Sequence, residues 1–129
     1  MKPIRNIIVT TDFSDYSVAG LTCALSVAVP FNADIHLLYV VEKGKGRNPQ
    51  DAEAIARREM QKFIAEHINE YTCIGQIILH GDAAEEIVNY ARNNAIDMIV
   101  IATHGRTGLK HIVMGSIAEK VVRSSTVRC

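Results

Sequence analysis

The chain has 129 residues, 48% of them hydrophobic and only 5% aromatic, enough for one domain with an aliphatic core that needs no disulfide or metal staple. Fourteen basic and fourteen acidic residues leave no formal net charge, which argues against phosphate-backbone binding of nucleic acid as the main task. No apolar run approaches the roughly 20 residues of a membrane span, and the start Met1-Lys2-Pro3-Ile4-Arg5 carries no secretory apolar core, so a cytoplasmic domain over residues 1–129 is expected.

Asn6-Ile7-Ile8-Val9-Thr10 is a continuous apolar run suited to a buried parallel strand. Thr11-Asp12-Phe13-Ser14-Asp15 supplies capping side chains, and Val18, Leu21, Leu25 and Ala28 then recur at helical spacing until Pro30 stops the helix. Asp34 to Val41 reads as a second buried strand. Glu42 to Gln50, with Lys43, Lys45 and Arg47 around two glycines, reads as a solvated loop. Asp51 to Tyr71 is the longest helix, with Ala52, Ile55, Ala56, Met60, Phe63, Ile64, His67, Ile68 and Tyr71 on one face. Ile74 to His80 makes a third strand, put at the sheet edge by Gly75 and Gln76. Asp82 and Glu85 form a capping pattern before a helix that buries Ala84, Ile87, Val88, Ala91 and Ala95. Asp97 to Ala102 is a fourth strand, and Ser116 opens a last helix with Ile117, Ala118, Val121 and Val122 inward. The three cysteines, Cys23, Cys73 and Cys129, are far apart and read as reduced thiols. Cys23 and Cys73 are expected as small core residues.

Strands alternating with helices call for a parallel sheet covered on both faces, with right-handed crossovers. Ligands of such sheets lie beyond the carboxyl ends of the strands, where strand order reverses, and the loops after the first and fourth strands flank that crevice. After the fourth strand, Gly105, Gly108 and Gly115 let backbone donors approach an anion, and the helix start at Gly115-Ser116 favours phosphate. Ser116 with Glu119 is also an ordinary capping box. Asp12 either caps the first helix, or accepts hydrogen bonds from an adenine amino group or a ribose hydroxyl, or helps to hold a metal at the phosphates. Arg106 adds charge to the anion loop or is solvated there, and Lys110 and His111 are weaker versions of the same idea.

Several chemistries lack their residues. Met114-Gly115-Ser116 has no P-loop lysine, and no Gly-x-Gly-x-x-Gly follows the first strand. His36, His67, His80, His104 and His111 have no metal-ligand spacing, and His104 has no visible nucleophile or orienting partner. No catalytic residue and no protein-held metal is therefore assigned. A lone Asp12 in place of an acidic pair argues against a phosphoacceptor domain.

Ala102-Thr103-His104-Gly105, nine residues, then Gly115-Ser116 resembles the Gly-x2-Gly-x9-Gly-Ser/Thr signature of the nucleotide-binding universal stress proteins, with Ala102 where the signature has glycine. The match extends from His104-Gly105-Arg106-Thr107-Gly108-Leu109 to Ala118-Glu119-Lys120-Val121, and back to Ile7-Ile8-Val9-Thr10-Thr11-Asp12-Phe13-Ser14. The resemblance implies a Rossmann-like three-layer α/β/α sandwich of sheet order 3-2-1-4-5. It also implies a fifth strand, absent from a text ending Thr126-Val127-Arg128-Cys129, and a homodimer when that strand is present. The implied ligand is ATP, AMP or another adenine nucleotide, with or without Mg²⁺. By the same resemblance Thr10, Thr11 and Asp12 border the nucleoside pocket and the Val40 backbone lies beside adenine. Ile101 and Ala102 run along base and ribose. Gly105, Gly115, Ser116 and the Ile117 N–H meet the phosphates, with Arg106 and Gly108 in the same loop. The implied function is a stress-response regulatory module with protein partners still to be identified. A nucleotide-free dimeric scaffold and a slow ATP hydrolase are the competing readings.

Overall fold

The computed structural model describes residues 4–42, 48–68 and 71–101. Along the chain come β1 (Asn6–Thr10), α1 (Asp15–Phe31), β2 (Asp34–Val41), α2 (Pro49–His67), β3 (Ile74–His80), α3 (Ala83–Asn93) and β4 (Met98–Val100). The strands form one parallel sheet in the order β3-β2-β1-β4, the order expected for these four. Among the described strands, β3 is at one edge, as Gly75 and Gln76 foretold.

Successive strand residues point to opposite faces, so nearly unbroken apolar strands need cover on both sides. On one face Ile7, Val9, Ile35, Leu37 and Val100 meet Leu21, Ala24 and Ala28 of α1 and Met60 and Phe63 of α2. On the other, Ile8, Leu38, Ile99 and Ile101 meet Ile87, Val88 and Ala91 of α3. These are the three layers. The crossovers through α1 and α2 carry the chain outward from β1, and α3 returns it across the opposite face to β1's free side. Strand order therefore reverses between β1 and β4.

Helix ends depart from expectation. α1 runs past Pro30 to Phe31, because a proline in the last turn forfeits a single N–H bond. Asn32 closes the helix in a left-handed conformation (φ 52°), its N–H donating to the Val29 carbonyl while Ala33 N–H donates to that of Ala28. α2 starts earlier, at Pro49, where Asn48 Oδ1 accepts the Gln50 N–H at 2.8 Å, and ends at His67. Tyr71 thus leaves the helical stripe and donates its hydroxyl to the Ala33 carbonyl. Ile55 is exposed, since the buried row of α2 is Ala56, Met60 and Phe63, one residue round. Ala95 lies beyond α3, exposed and left-handed (φ 51°), and Ile96 takes the core place. Cys23 is exposed and Cys73 half-buried, because the inward row of α1 is Leu21, Ala24 and Ala28. Residues 43–47 of the basic loop and the last helix lie outside the described residues. Among the described residues, no helix is long and apolar enough to cross a membrane.

Candidate functional site

β1 is shorter than β2 at its carboxyl end, and the mismatch opens an edge. The last ladder partner of β1 is Thr10, opposite Leu38, and Thr11 N–H donates to the Leu38 carbonyl at 2.9 Å. Leu38 therefore turns its backbone toward β1. Two residues on, Val40 turns its N–H and C=O the same way, past the end of the β1 ladder. The residue after it faces β3, since the Val41 carbonyl accepts the Gly81 N–H at 3.0 Å. On the other side of β1, Val9 is opposite Val100, which brings Ile101 level with Thr10. Thr10, Thr11, Asp12, Val40 and Ile101 thus converge on the carboxyl edge of three adjacent strands, where strand order reverses.

The turn from β1 into α1 is tightly held. Thr11 is buried, and its Oγ1 accepts the Phe13 N–H at 2.9 Å. Phe13 is left-handed (φ 67°), a conformation that costs a side-chain-bearing residue roughly 1–2 kcal/mol. Its ring packs on Tyr39 and Phe63, with centroids 4.9 and 6.0 Å away, and that anchorage offsets the strain. Ser14 then caps α1, its Oγ accepting the Ser17 N–H at 3.4 Å. The capping alternative for Asp12 is thereby corrected: the cap is two residues further on. The exposed Asp12 instead accepts two donors on Oδ1, the Ser14 N–H at 3.0 Å and the Ser17 hydroxyl at 2.8 Å. Ser17 Oγ in turn accepts the Asp12 N–H at 3.0 Å. Sequence reasoning passed over Ser17. Its signal was a hydroxyl on the first turn of α1, three residues after the cap, where it points back at the strand end.

The remaining positions divide clearly. Ile101 is buried with Ile8 and Ile99, so what it brings to the edge is its backbone. Ala102, Gly105, Arg106, Gly108, Gly115, Ser116 and Ile117 lie outside the described residues, as do His104, Lys110 and His111. Among the described residues, no cluster of three His, Cys, Asp or Glu side chains is placed to hold a metal ion. At the end of β3, His80 Nε2 lies 3.0 Å from Glu53 Oε1, and this hydrogen bond holds the Glu53 carboxyl below its ordinary range.

A parallel sheet with this reversal, a short central strand and a carboxylate on the turn beside it belongs to the doubly wound, Rossmann-like α/β proteins. Residues 3–129 match the universal stress protein family, and the chain belongs to that family. It is 30% identical to a universal stress protein of Methanocaldococcus jannaschii, over 94% of this chain and 77% of that relative. Among solved structures it resembles the universal stress protein UspA from Lactobacillus plantarum, at 27% identity with a TM-score of 0.72, over 99% of this chain and 97% of that one. The fold is shared with a universal stress protein in complex with cAMP, at 23% identity and TM-score 0.69, covering 98% and 94% of the two chains. It is shared too with the Archaeoglobus fulgidus universal stress protein in complex with dAMP, at 19% and 0.74, covering 98% and 96%.

Proposed function

We propose that the chain binds an adenine nucleotide, with ATP as the leading candidate, at the carboxyl edge of β2, β1 and β4, and acts as a stress-response regulatory module. The observation that carries this reading is the outward backbone of Val40 beside the Asp12 turn. One residue there offers a donor and an acceptor side by side, which complements the ring-nitrogen acceptor and amino donor on the edge of adenine. Asp12 supplies a charged acceptor for a donor of the base or the ribose. The two neighbours solved with cAMP and with dAMP support the same class, because those ligands differ in sugar and phosphate and share the base. Ala102, Gly105, Arg106, Gly108, Gly115, Ser116 and Ile117 complete the site in this reading, with the glycine loop on the phosphates and Mg²⁺ entering with them.

Regulation then follows from a difference in contacts. A γ-phosphate that orders the loop from Gly105 to Gly115 changes the surface offered to partner proteins, and a shorter nucleotide does not. In this reading the module works in the cytoplasm, as a homodimer when the fifth strand is present. Calorimetric titration of ATP with Mg²⁺ into protein freed of bound nucleotide tests the proposal. About one site per chain with micromolar or tighter affinity is expected. No heat, together with no nucleotide released on denaturing the purified protein, rejects it in favour of a nucleotide-free scaffold. Multiple turnover that disappears in Asp12→Asn replaces the regulatory reading with the slow hydrolase.

A further inference from the structure

We infer that Ser17 is the positioning residue for Asp12, fixing the direction in which that carboxylate accepts a donor from the bound nucleoside. The inference rests on the adenine-nucleotide reading above. Ser17 is a polar residue only 2% exposed, in the first turn of α1. The helix has no use for a hydroxyl there, since Ser14 already serves the cap and alanine is the better helix former. The hydroxyl is spent on Asp12 instead. Its oxygen accepts the Asp12 N–H at 3.0 Å and its proton goes to Asp12 Oδ1 at 2.8 Å, so backbone and side chain of one residue are gripped by one atom. A serine hydroxyl has a single proton to give, and this one is committed. Ser17 cannot easily turn away, because its own N–H donates to the Ser14 carbonyl at 3.0 Å and the side chain is enclosed.

The grip sets geometry on an otherwise exposed group. With the Ser17 hydroxyl and the Ser14 N–H both on Oδ1, rotation of the carboxylate about its last bond breaks two hydrogen bonds at once. Ser17 also holds the Asp12 N–H, but the turn beneath keeps its own holds in the Thr11 hydroxyl on Phe13 N–H and the Phe13 ring against Tyr39 and Phe63. Removing the Ser17 hydroxyl therefore loosens the carboxylate while the turn persists. An ionised carboxylate only accepts, so the nucleoside groups it reads are the adenine amino group or a ribose hydroxyl. Precise aim is what turns such a contact into discrimination, because a ligand lacking the donor forgoes a charge-assisted hydrogen bond that only a correctly directed carboxylate makes.

The experiment measures affinities of ATP, of ITP, whose base has an oxo group in place of the amino group, and of 2′-deoxyATP. They are measured by calorimetry for the wild type, Ser17→Ala, Ser17→Thr and Asp12→Asn. The wild type is expected to prefer ATP over at least one analogue by about tenfold, the scale of one hydrogen bond to a charged group. In Ser17→Ala that ratio shrinks to the value it has in Asp12→Asn, where for ITP only the discrimination by the Val40 backbone is left, and adding Ser17→Ala to Asp12→Asn lowers it no further. Ser17→Thr, which keeps the hydroxyl, restores the ratio. Circular dichroism melts check that each variant is folded, and Ser17→Cys, near in volume with a weak donor, replaces an unfolded Ser17→Ala. An unchanged ratio in Ser17→Ala overturns the inference, as does an equal loss for all three nucleotides, which marks a merely structural serine. A wild type that binds ATP without preferring it over either analogue overturns it too. A wild type that binds none of the three overturns the nucleotide reading itself, and so is told apart from a failure of Ser17 alone.

Discussion

His36 stands between two polar partners on the face of β2 that α3 covers. Its Nδ1 is 2.6 Å from the Tyr90 hydroxyl and its Nε2 is 3.1 Å from Asn6 Oδ1. Asn6 Nδ2 donates to the Ala95 carbonyl, which leaves the amide oxygen facing the ring. Nε2 is therefore the protonated nitrogen and Nδ1 accepts from Tyr90. Burial holds the imidazole below its ordinary pKa, with Asp34 opposing part of that shift, and burial also raises Tyr90, keeping the phenol a donor. The sign follows from linkage. A histidine whose folded pKa lies below its unfolded value contributes full stability above about pH 6.5, and loses it as pH falls toward the folded value. Thermal stability is thus expected to drop as pH falls below about 6.5, and His36→Gln to flatten that part of the curve. Parallel pH profiles for the two proteins would sink this account. Glu53 acts in a lower window, since its depressed carboxyl pKa adds stability above the unfolded carboxylate range and loses it below. At the surface that contribution is small.

Strand ends were easier to read than helix ends. Asn6–Thr10, Asp34–Val41 and Ile74–His80 have the bounds that the sequence predicts, each an apolar or β-branched run that gives way to turn or capping residues, while β4 is shorter than predicted, with Asp97 and Ile101 outside it. Helix ends are decided by single bonds. Asn48 and Pro49 looked like loop composition and are the cap and first residue of α2, while Pro30 looked like a stop and sits inside the last turn of α1. The capping pattern at α3 was legible, since an aspartate three residues before a glutamate at the head of an apolar row has few other uses. Asp82 Oδ2 accepts the Glu85 N–H at 3.0 Å, after Gly81 turns the chain with φ 140°. Asp82→Ala is expected to cost about 1 kcal/mol. That appears as a lower denaturant midpoint at unchanged slope, with Asp82→Asn close to wild type. An unchanged midpoint in Asp82→Ala would mean that packing of Ala84, Ile87, Val88 and Ala91 fixes the helix start without the cap.

At the scale of the molecule, the alternation of elements made the parallel sheet covered on both faces legible, while the order β3-β2-β1-β4 came from the resemblance to the family, and with it the place where a ligand edge opens. The strand-end positions Thr10, Thr11, Asp12, Val40 and Ile101 came together because strand ends meet wherever the sheet order brings them. Ser17 carried a signal, a hydroxyl on the first turn of α1, but that its partner is Asp12 was not legible, because the contact depends on the left-handed turn at Phe13, which a phenylalanine does not announce. That edge is carried by a sheet with a core on each face, and the two cores share every strand. Met60 of α2, fully buried against one face, and Ile87 of α3, buried against the other, belong to different layers of the same sheet. Neither layer can be lost alone, since either loss bares one whole face of β1 and β2. Met60→Ala and Ile87→Ala are each expected to cost about 2–5 kcal/mol, and their effects to add within about 0.5 kcal/mol, because the sheet separates the two sites. Each variant then melts in one step, with far-ultraviolet circular dichroism and tyrosine fluorescence coinciding; Tyr39 reports on the α1–α2 side and Tyr90 on the α3 side. A two-step melt in either variant would mean that one face survives without the other, and that the strand ends forming the site are held by one layer only.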